Sequence, residues 1–270
     1  MRDRVVTLTQ LTDYLQCGLY YRFRHELGFP HRNGSPIDHA LWQTCSRATA
    51  RLFNALGAGQ SRVKARNIAV DGRFIMYTWV HAGGATLEYP FAHAHARMLV
   101  LDTLELLGST FKPIGGDIPV SKTVGEYLVE GLLEGAFVKT DIDRKKSLVV
   151  VQIDHDNQMM AGPRVKHLRE ALVKDTFSKA SIGSPLPIKL LRIRIPSRKI
   201  SWRDLDRRSY PEFNWLAKSV IHGIDNQHYT PTDVKRKCDL CCYKGICSNY
   251  FSVPGLSEQI ISKCKGELEA

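Results

Sequence analysis

Three cysteines within ten residues, Cys238, Cys241 and Cys247, form a C-x2-C-x5-C pattern near one end of the chain and constrain it more than any other feature. Thiols that close in one small loop suit ligation of a metal ion or an iron-sulfur cluster, and such a site needs a fourth thiolate. Cys17 is the best candidate, because it sits in the helix-like segment 11–21, whose end could be brought beside the loop and so tie the two ends of the chain together. Spacing alone admits zinc or a [4Fe-4S] cluster, since both want four thiolates in a tetrahedral cage. A total of seven cysteines does not suit a complete disulfide framework. Cys45 and Cys264 then read as small apolar residues, and Cys242 as a spare thiol beside the site.

With 270 residues, 43% of them hydrophobic, the chain can bury one sizeable core, and a single domain is expected. Its parts are a helical region over 1–60, a helical or irregular insertion over 60–115, a sheet core over 116–200, and a C-terminal helix with the cysteine loop over 201–270. Apolar spacing predicts helices over 7–27, 37–56, 92–107 and 164–180. Phe74 to Val80 reads as a strand or a buried helix. Strands are expected over 128–143 and 147–154, joined by the polar turn Arg144-Lys145-Lys146, and over 188–195, with a last helix over 202–223. This order predicts an α/β chain with a mixed sheet flanked by helices.

The formal net charge of +11 points to a polyanionic partner, nucleic acid first, with Arg192 and Arg194 on one strand face as candidate contacts. The start of the chain has no apolar signal-peptide core and no long apolar run follows, so a cytoplasmic protein with no membrane partner is expected.

A Tyr14-Leu15-Gln16-Cys17 segment followed by Tyr20-Tyr21-Arg22, a central hairpin, and Tyr229-Thr230-Pro231 before the cysteine loop resemble, in order, the iron-sulfur branch of the RecB-like nucleases in the PD-(D/E)xK superfamily. The resemblance implies a [4Fe-4S] cluster on Cys17, Cys238, Cys241 and Cys247, DNA rather than RNA as partner, and a place in a larger nucleic-acid-processing complex. It also implies a Mg²⁺ or Mn²⁺ site held by His39 and hairpin carboxylates, with a lysine beside the scissile phosphate. In one register Asp143 and Asp154 are the metal ligands, and Asp156 stands where the lysine belongs. In the other, set by Gly135, Val138 and Gln152 take the ligand places and Asp154 the lysine's. Neither register has the lysine, although Lys166 could supply a displaced ammonium. The expectation is a DNA-binding protein with weakened or lost nuclease activity. Its rivals are an active Mg²⁺- or Mn²⁺-dependent DNA exonuclease and a zinc-stapled scaffold for protein partners.

Overall fold

The computed structural model describes residues 4–28, 36–108, 110–141, 143–155, 163–180, 186–205 and 213–232, together with Cys238, Cys241, Tyr243 and Cys247. Strand β1 (Arg4–Thr7) leads into α1 (Leu8–Gln16) through a reciprocal cap, in which the Thr7 hydroxyl accepts the Gln10 N–H and the Gln10 side chain accepts the Thr7 N–H. The single helix predicted over 7–27 is broken. Cys17 is extended (φ −169°, ψ 121°), after which the chain resumes as a short α2 (Gly18–Tyr21) and a π-helical turn (Arg22–Glu26). A tertiary contact accounts for the break: the Gly18 N–H donates to the Thr230 carbonyl at 2.8 Å. A β-carbon at position 18 would meet backbone atoms of Tyr229 and Thr230 at 2.7 Å, so glycine permits this approach.

Helix α3 (Pro36–Gly57) matches expectation, and the insertion is helical up to Leu107: α4 (Arg62–Ala69), α5 (Gly72–His81), a 3-10 turn (Thr86–Glu88) and α6 (Tyr89–Leu107). The ambiguous run Phe74 to Val80 belongs to α5. Ser61 and Asp71 cap α4 and α5 by accepting the N–H groups of Lys64 and Phe74. Only one side of α5 is buried, with Ile75 and Trp79 at 0% exposure.

Next come β2 (Phe111–Val124), β3 (Tyr127–Thr140), β4 (Lys146–His155), α7 (Pro163–Ala180), β5 (Ile188–Ile195), β6 (Ile200–Asp204) and α8 (Phe213–Asp225). Two expectations change here. The sheet core begins at Phe111, before the expected residue 116, because β2 pairs with almost the whole of β3. Trp202 lies on β6, which pairs antiparallel with β5, and not in a helix; the last helix starts only at Phe213.

The six-stranded mixed sheet has the path β1-β3-β4-β5-β6, with β2 also on β3. Its β1–β3 and β4–β5 pairs are parallel and the others antiparallel. One face packs under α3 to α6 through Phe53, Phe137, Val149, Val151, Ile153, Leu191 and Ile193. The other packs under α1, α7 and α8 through Val129, Val150, Leu168, Leu190 and Val220. Covering both faces explains why Val149-Val150-Val151 is continuously apolar. No helix among the described residues is long and apolar enough to cross a membrane.

Candidate functional site at the fork between β3 and β4

Strand β3 changes partners part-way along. Residues 127–130 pair with β1, whereas residues 135–140 pair with β4, starting at Gly135 opposite Val151. Between them the sheet opens into a fork, and Glu134 stands in it. The Glu134 carboxylate takes the Ile153 N–H at 3.1 Å and the Ser46 hydroxyl of α3 at 2.9 Å, so a side chain ends the ladder at this point. Helix α3 can lie this close because Gly135 has no side chain: a β-carbon there would run into the Phe53 ring.

Next to Glu134 stand Gln152 and Asp154 of β4, and Asp154 connects the fork to Arg192 of β5, which in turn meets Glu170 of α7. The Gln152 amide donates to Asp154 Oδ1 at 2.8 Å, and its oxygen is buried with no hydrogen-bond donor among the described residues. Arg192 sets Nε 3.1 Å from Asp154 Oδ2 and Nη2 3.3 Å from Glu170 Oε1, an oxygen that also accepts from Arg203 at 2.9 Å. Glu170 and Arg192 are 0% and 3% exposed. These are buried charges, tolerable only because they meet each other.

Burial, which disfavours the charged form, pushes the Glu134 carboxyl up to about 7; it outweighs the hydrogen bonds from Ile153 and Ser46, and the nearby Asp154 charge adds to it. The unfolded chain titrates this group in the ordinary carboxylate range near 4.5. The folded state therefore holds the proton longer, and the stability this confers is complete below pH ~4.5 and lost as pH rises through about 7. Glu134→Gln removes the charge, leaving an oxygen for Ile153 N–H and an amide to face Ser46. It is expected to leave stability nearly unchanged at pH 5 and to raise it by up to about 3 kcal/mol at pH 8. Urea denaturation at both pH values checks this; equal effects at both would mean that Glu134 is not neutral near pH 5.

A cleft of about 960 Å³ leads from the surface to this fork. Its walls are α3 (Trp42, Ser46, Arg47), α5 (Phe74, Tyr77, His81) and β3, with Glu134, Gln152 and Ile153 at the fork end. Arg47 pairs with Asp117 of β2 at 3.3 Å on the rim.

The structure separates several residues that the sequence reading had grouped. Asp143 sits at the hairpin turn, its side chain 54% exposed and 2.8 Å from Lys145. Asp154 lies at the far end of β4. With Thr140 opposite Lys146 and Gly135 opposite Val151, the eight residue-to-residue steps from Lys146 to Asp154 put roughly 25 Å between the two ends of the strand. Asp143 and Asp154 therefore do not share a metal ion. Arg192 is likewise corrected as a nucleic-acid contact, since it is sealed beneath α7 against Glu170. Arg194 is half-buried at the end of β5. His39 and Lys166 fall on α3 and α7, but their side chains, with Asp156, lie outside the described residues. Glu134 is absent from the expected ligands because the hairpin resemblance points to the carboxylates after Gly135, and Glu134 stands just before it. The available signal was a lone acid inside the apolar run 132–138.

As a Mg²⁺ or Mn²⁺ hydrolytic centre this donor set does not fit. It offers one carboxyl that is half neutral at pH 7, one carboxylate committed to Arg192, one amide, and no lysine among the described side chains.

At the opposite end of α1, the two termini of the fold meet. Tyr14 donates to the His228 carbonyl, Tyr229 donates to Glu26, and the Tyr21 and Tyr229 rings stack at 6.3 Å. Tyr243 packs between Tyr20 and Phe23, with ring centroids 5.3 and 5.4 Å away, and Cys241 and Cys247 join the same apolar cluster. Cys17, Cys238, Cys241 and Cys247 are half-buried thiols, whereas Cys45 is fully buried in the core of α3. Among the described residues no three His, Cys, Asp or Glu side chains are grouped to hold a metal ion. Cys242 and Cys264 lie outside the described residues. The four thiols are distributed over two segments that the aromatic contacts bring together, a donor set of the type that either zinc or an iron-sulfur cluster takes.

No protein-family model matches the chain, and no curated protein matches it. Among solved structures, the crystal structure of SSO0001 is similar at 12% sequence identity and a TM-score of 0.42, over 93% of this chain and 88% of that one. A likeness at that level carries neither fold nor function across.

Proposed function

We propose that this chain is a PD-(D/E)xK-type, RecB-like protein that binds DNA, as single strands or ends, with its phosphodiester-cleaving centre weakened or lost. A [4Fe-4S] cluster on Cys17, Cys238, Cys241 and Cys247 ties its ends together, and it acts as a subunit of a nucleic-acid-processing complex. The observation that carries the reading is the make-up of the fork. A hydrolytic centre needs free carboxylates and a cation beside the scissile phosphate. Here Glu134 and Gln152 line the end of the cleft, Asp154 beside them is held by Gln152 and Arg192, and that nearby cation, Arg192, is neutralised by Asp154 and Glu170. The protein's own part is thus to bind and orient a strand. A closed four-cysteine cluster has no open position for substrate, so its part is structural.

The +11 charge and the exposed Lys64, Arg73 and Arg97 of the helical insertion support a polyanionic partner. Binding to oligonucleotides is expected to weaken steeply with salt, at a log-log slope of about −0.7 per phosphate contact on single strands. Hydrolysis with Mg²⁺ or Mn²⁺ is expected to be undetectable, because loss of one preorganised stabilising group costs on the order of 100-fold or more. Electrophoretic cleavage assays and salt titrations on anaerobically purified protein test both statements. Robust metal-dependent cleavage that Glu134→Ala abolishes would establish the second reading, an active nuclease. That reading is favoured by the buried Gln152 oxygen, which has no donor among the described residues.

A further inference from the structure

We propose that the outer face of α5 is a stacking wall for single-stranded DNA entering the cleft, an inference that rests on the nucleic-acid reading above and assigns residues to it. Arg73, Tyr77 and His81 recur every four residues, so they share one face of the helix, and all three are exposed. Tyr77 is 64% exposed, although Ile75 and Trp79 already anchor the helix to the core. A large aromatic side chain left in solvent contributes little to that anchoring. Its ring instead meets the His81 imidazole, with centroids 4.1 Å apart and planes inclined by 50°.

This pair does not sit on an arbitrary surface. Phe74, Tyr77, Thr78 and His81 together form one wall of the cleft that ends at Glu134 and Gln152. Cations flank the row: Arg73 lies one turn before Tyr77, and the Arg51 guanidinium lies 4.1 Å from the Phe74 centroid. Aromatic faces beside cations match the chemistry of a single strand, whose bases stack on the rings while its phosphates meet the positive charges. Duplex bases are already stacked on each other and are not available to such a wall. Since every base has a π-face, binding here is tolerant of sequence.

The test is fluorescence anisotropy with a labelled oligothymidylate of about 20 nucleotides, and with a duplex of random sequence and equal length, on the full cluster-loaded chain. Tyr77→Ala and His81→Ala are each expected to weaken oligothymidylate binding roughly five- to 100-fold, with an unchanged salt slope and little effect on the duplex. Tyr77→Phe keeps the ring and should bind within about twofold of wild type, whereas Tyr77→Leu keeps an apolar side chain without the ring and should behave as the alanine variant. Arg73→Ala should instead reduce the salt slope by about 0.7. Wild-type affinity in both Tyr77→Leu and His81→Ala would overturn the stacking wall and leave DNA binding standing. An equal loss on single strand and duplex would also overturn it. Failure of wild type to bind either probe at low salt would remove the nucleic-acid reading itself, and the wall with it.

Discussion

Cys238→Ala is expected to abolish the brown colour and visible absorption of the anaerobically purified protein and to lower its stability by about 5 kcal/mol. The magnitude follows from chain entropy. A cluster joining Cys17 to Cys238 closes a loop of about 220 residues, and closing so long a loop in the unfolded chain costs that much by polymer estimates. Metal-coupled folding makes the loss local first: the segment carrying Tyr243 should release the Tyr20–Phe23 surface and become protease-sensitive, while the sheet melts later. Cys17→Ala should reproduce the loss from the other end of the chain, and Cys242→Ala should retain colour and stability. Iron and sulfide analysis accompanies the melts. Stoichiometric zinc without iron would replace the cluster with a zinc staple, and an unchanged melting profile in Cys17→Ala would remove the staple altogether.

Arg192→Met should destabilise the fold by about 3–5 kcal/mol, without changing the salt dependence of DNA binding. The side chain is 3% exposed, and its guanidinium neutralises Asp154 from one side and Glu170 from the other. Removing it leaves Glu170, at 0% exposure, with Arg203 as its remaining cationic partner among the described ion pairs. Isolated buried carboxylates are costly; replacing both members of a buried pair with apolar residues costs far less. The double variant Arg192→Met/Glu170→Leu should therefore recover the part of the loss that the stranded Glu170 charge causes, while Asp154 still lacks Arg192. Urea denaturation followed by circular dichroism gives both values. A change of less than about 1 kcal/mol in the single variant would mean that the pair is hydrated, and a reduced salt slope would return Arg192 to the DNA surface.

Much of the scaffold was legible because it is written in periodicities that local sequence carries. The β-branched run before Gln152, the polar turn Arg144-Lys145-Lys146, the alternation of Ile188 to Ile195 and the apolar spacing of α3, α6 and α7 each survive in the structure within a few residues. Elements whose identity depends on a partner were misread. Cys17 interrupts its helix because Thr230, more than 200 residues away, takes the Gly18 N–H. Strand β2, rich in glycine and proline, is a strand because β3 supplies the ladder, and β6 carries Trp202 because β5 offers an open edge.

By itself the sequence determined the mixed sheet flanked by helices and the net positive charge, which are properties of composition and spacing. It also determined which thiols could act together, because a C-x2-C-x5-C loop keeps three of them close whatever the rest of the chain does. Only the tertiary structure decided which charges meet. Asp143 and Asp154 are expected as ligands of one metal ion, yet Asp143 lies in the turn before β4 and Asp154 near the far end of that strand. Glu134, Gln152, Asp154, Arg192 and Glu170 come from three strands and a helix, and no local pattern links them. The fork that gathers them exists because β3 exchanges β1 for β4 half-way along, and strand exchange depends on long-range pairing that no window of sequence contains.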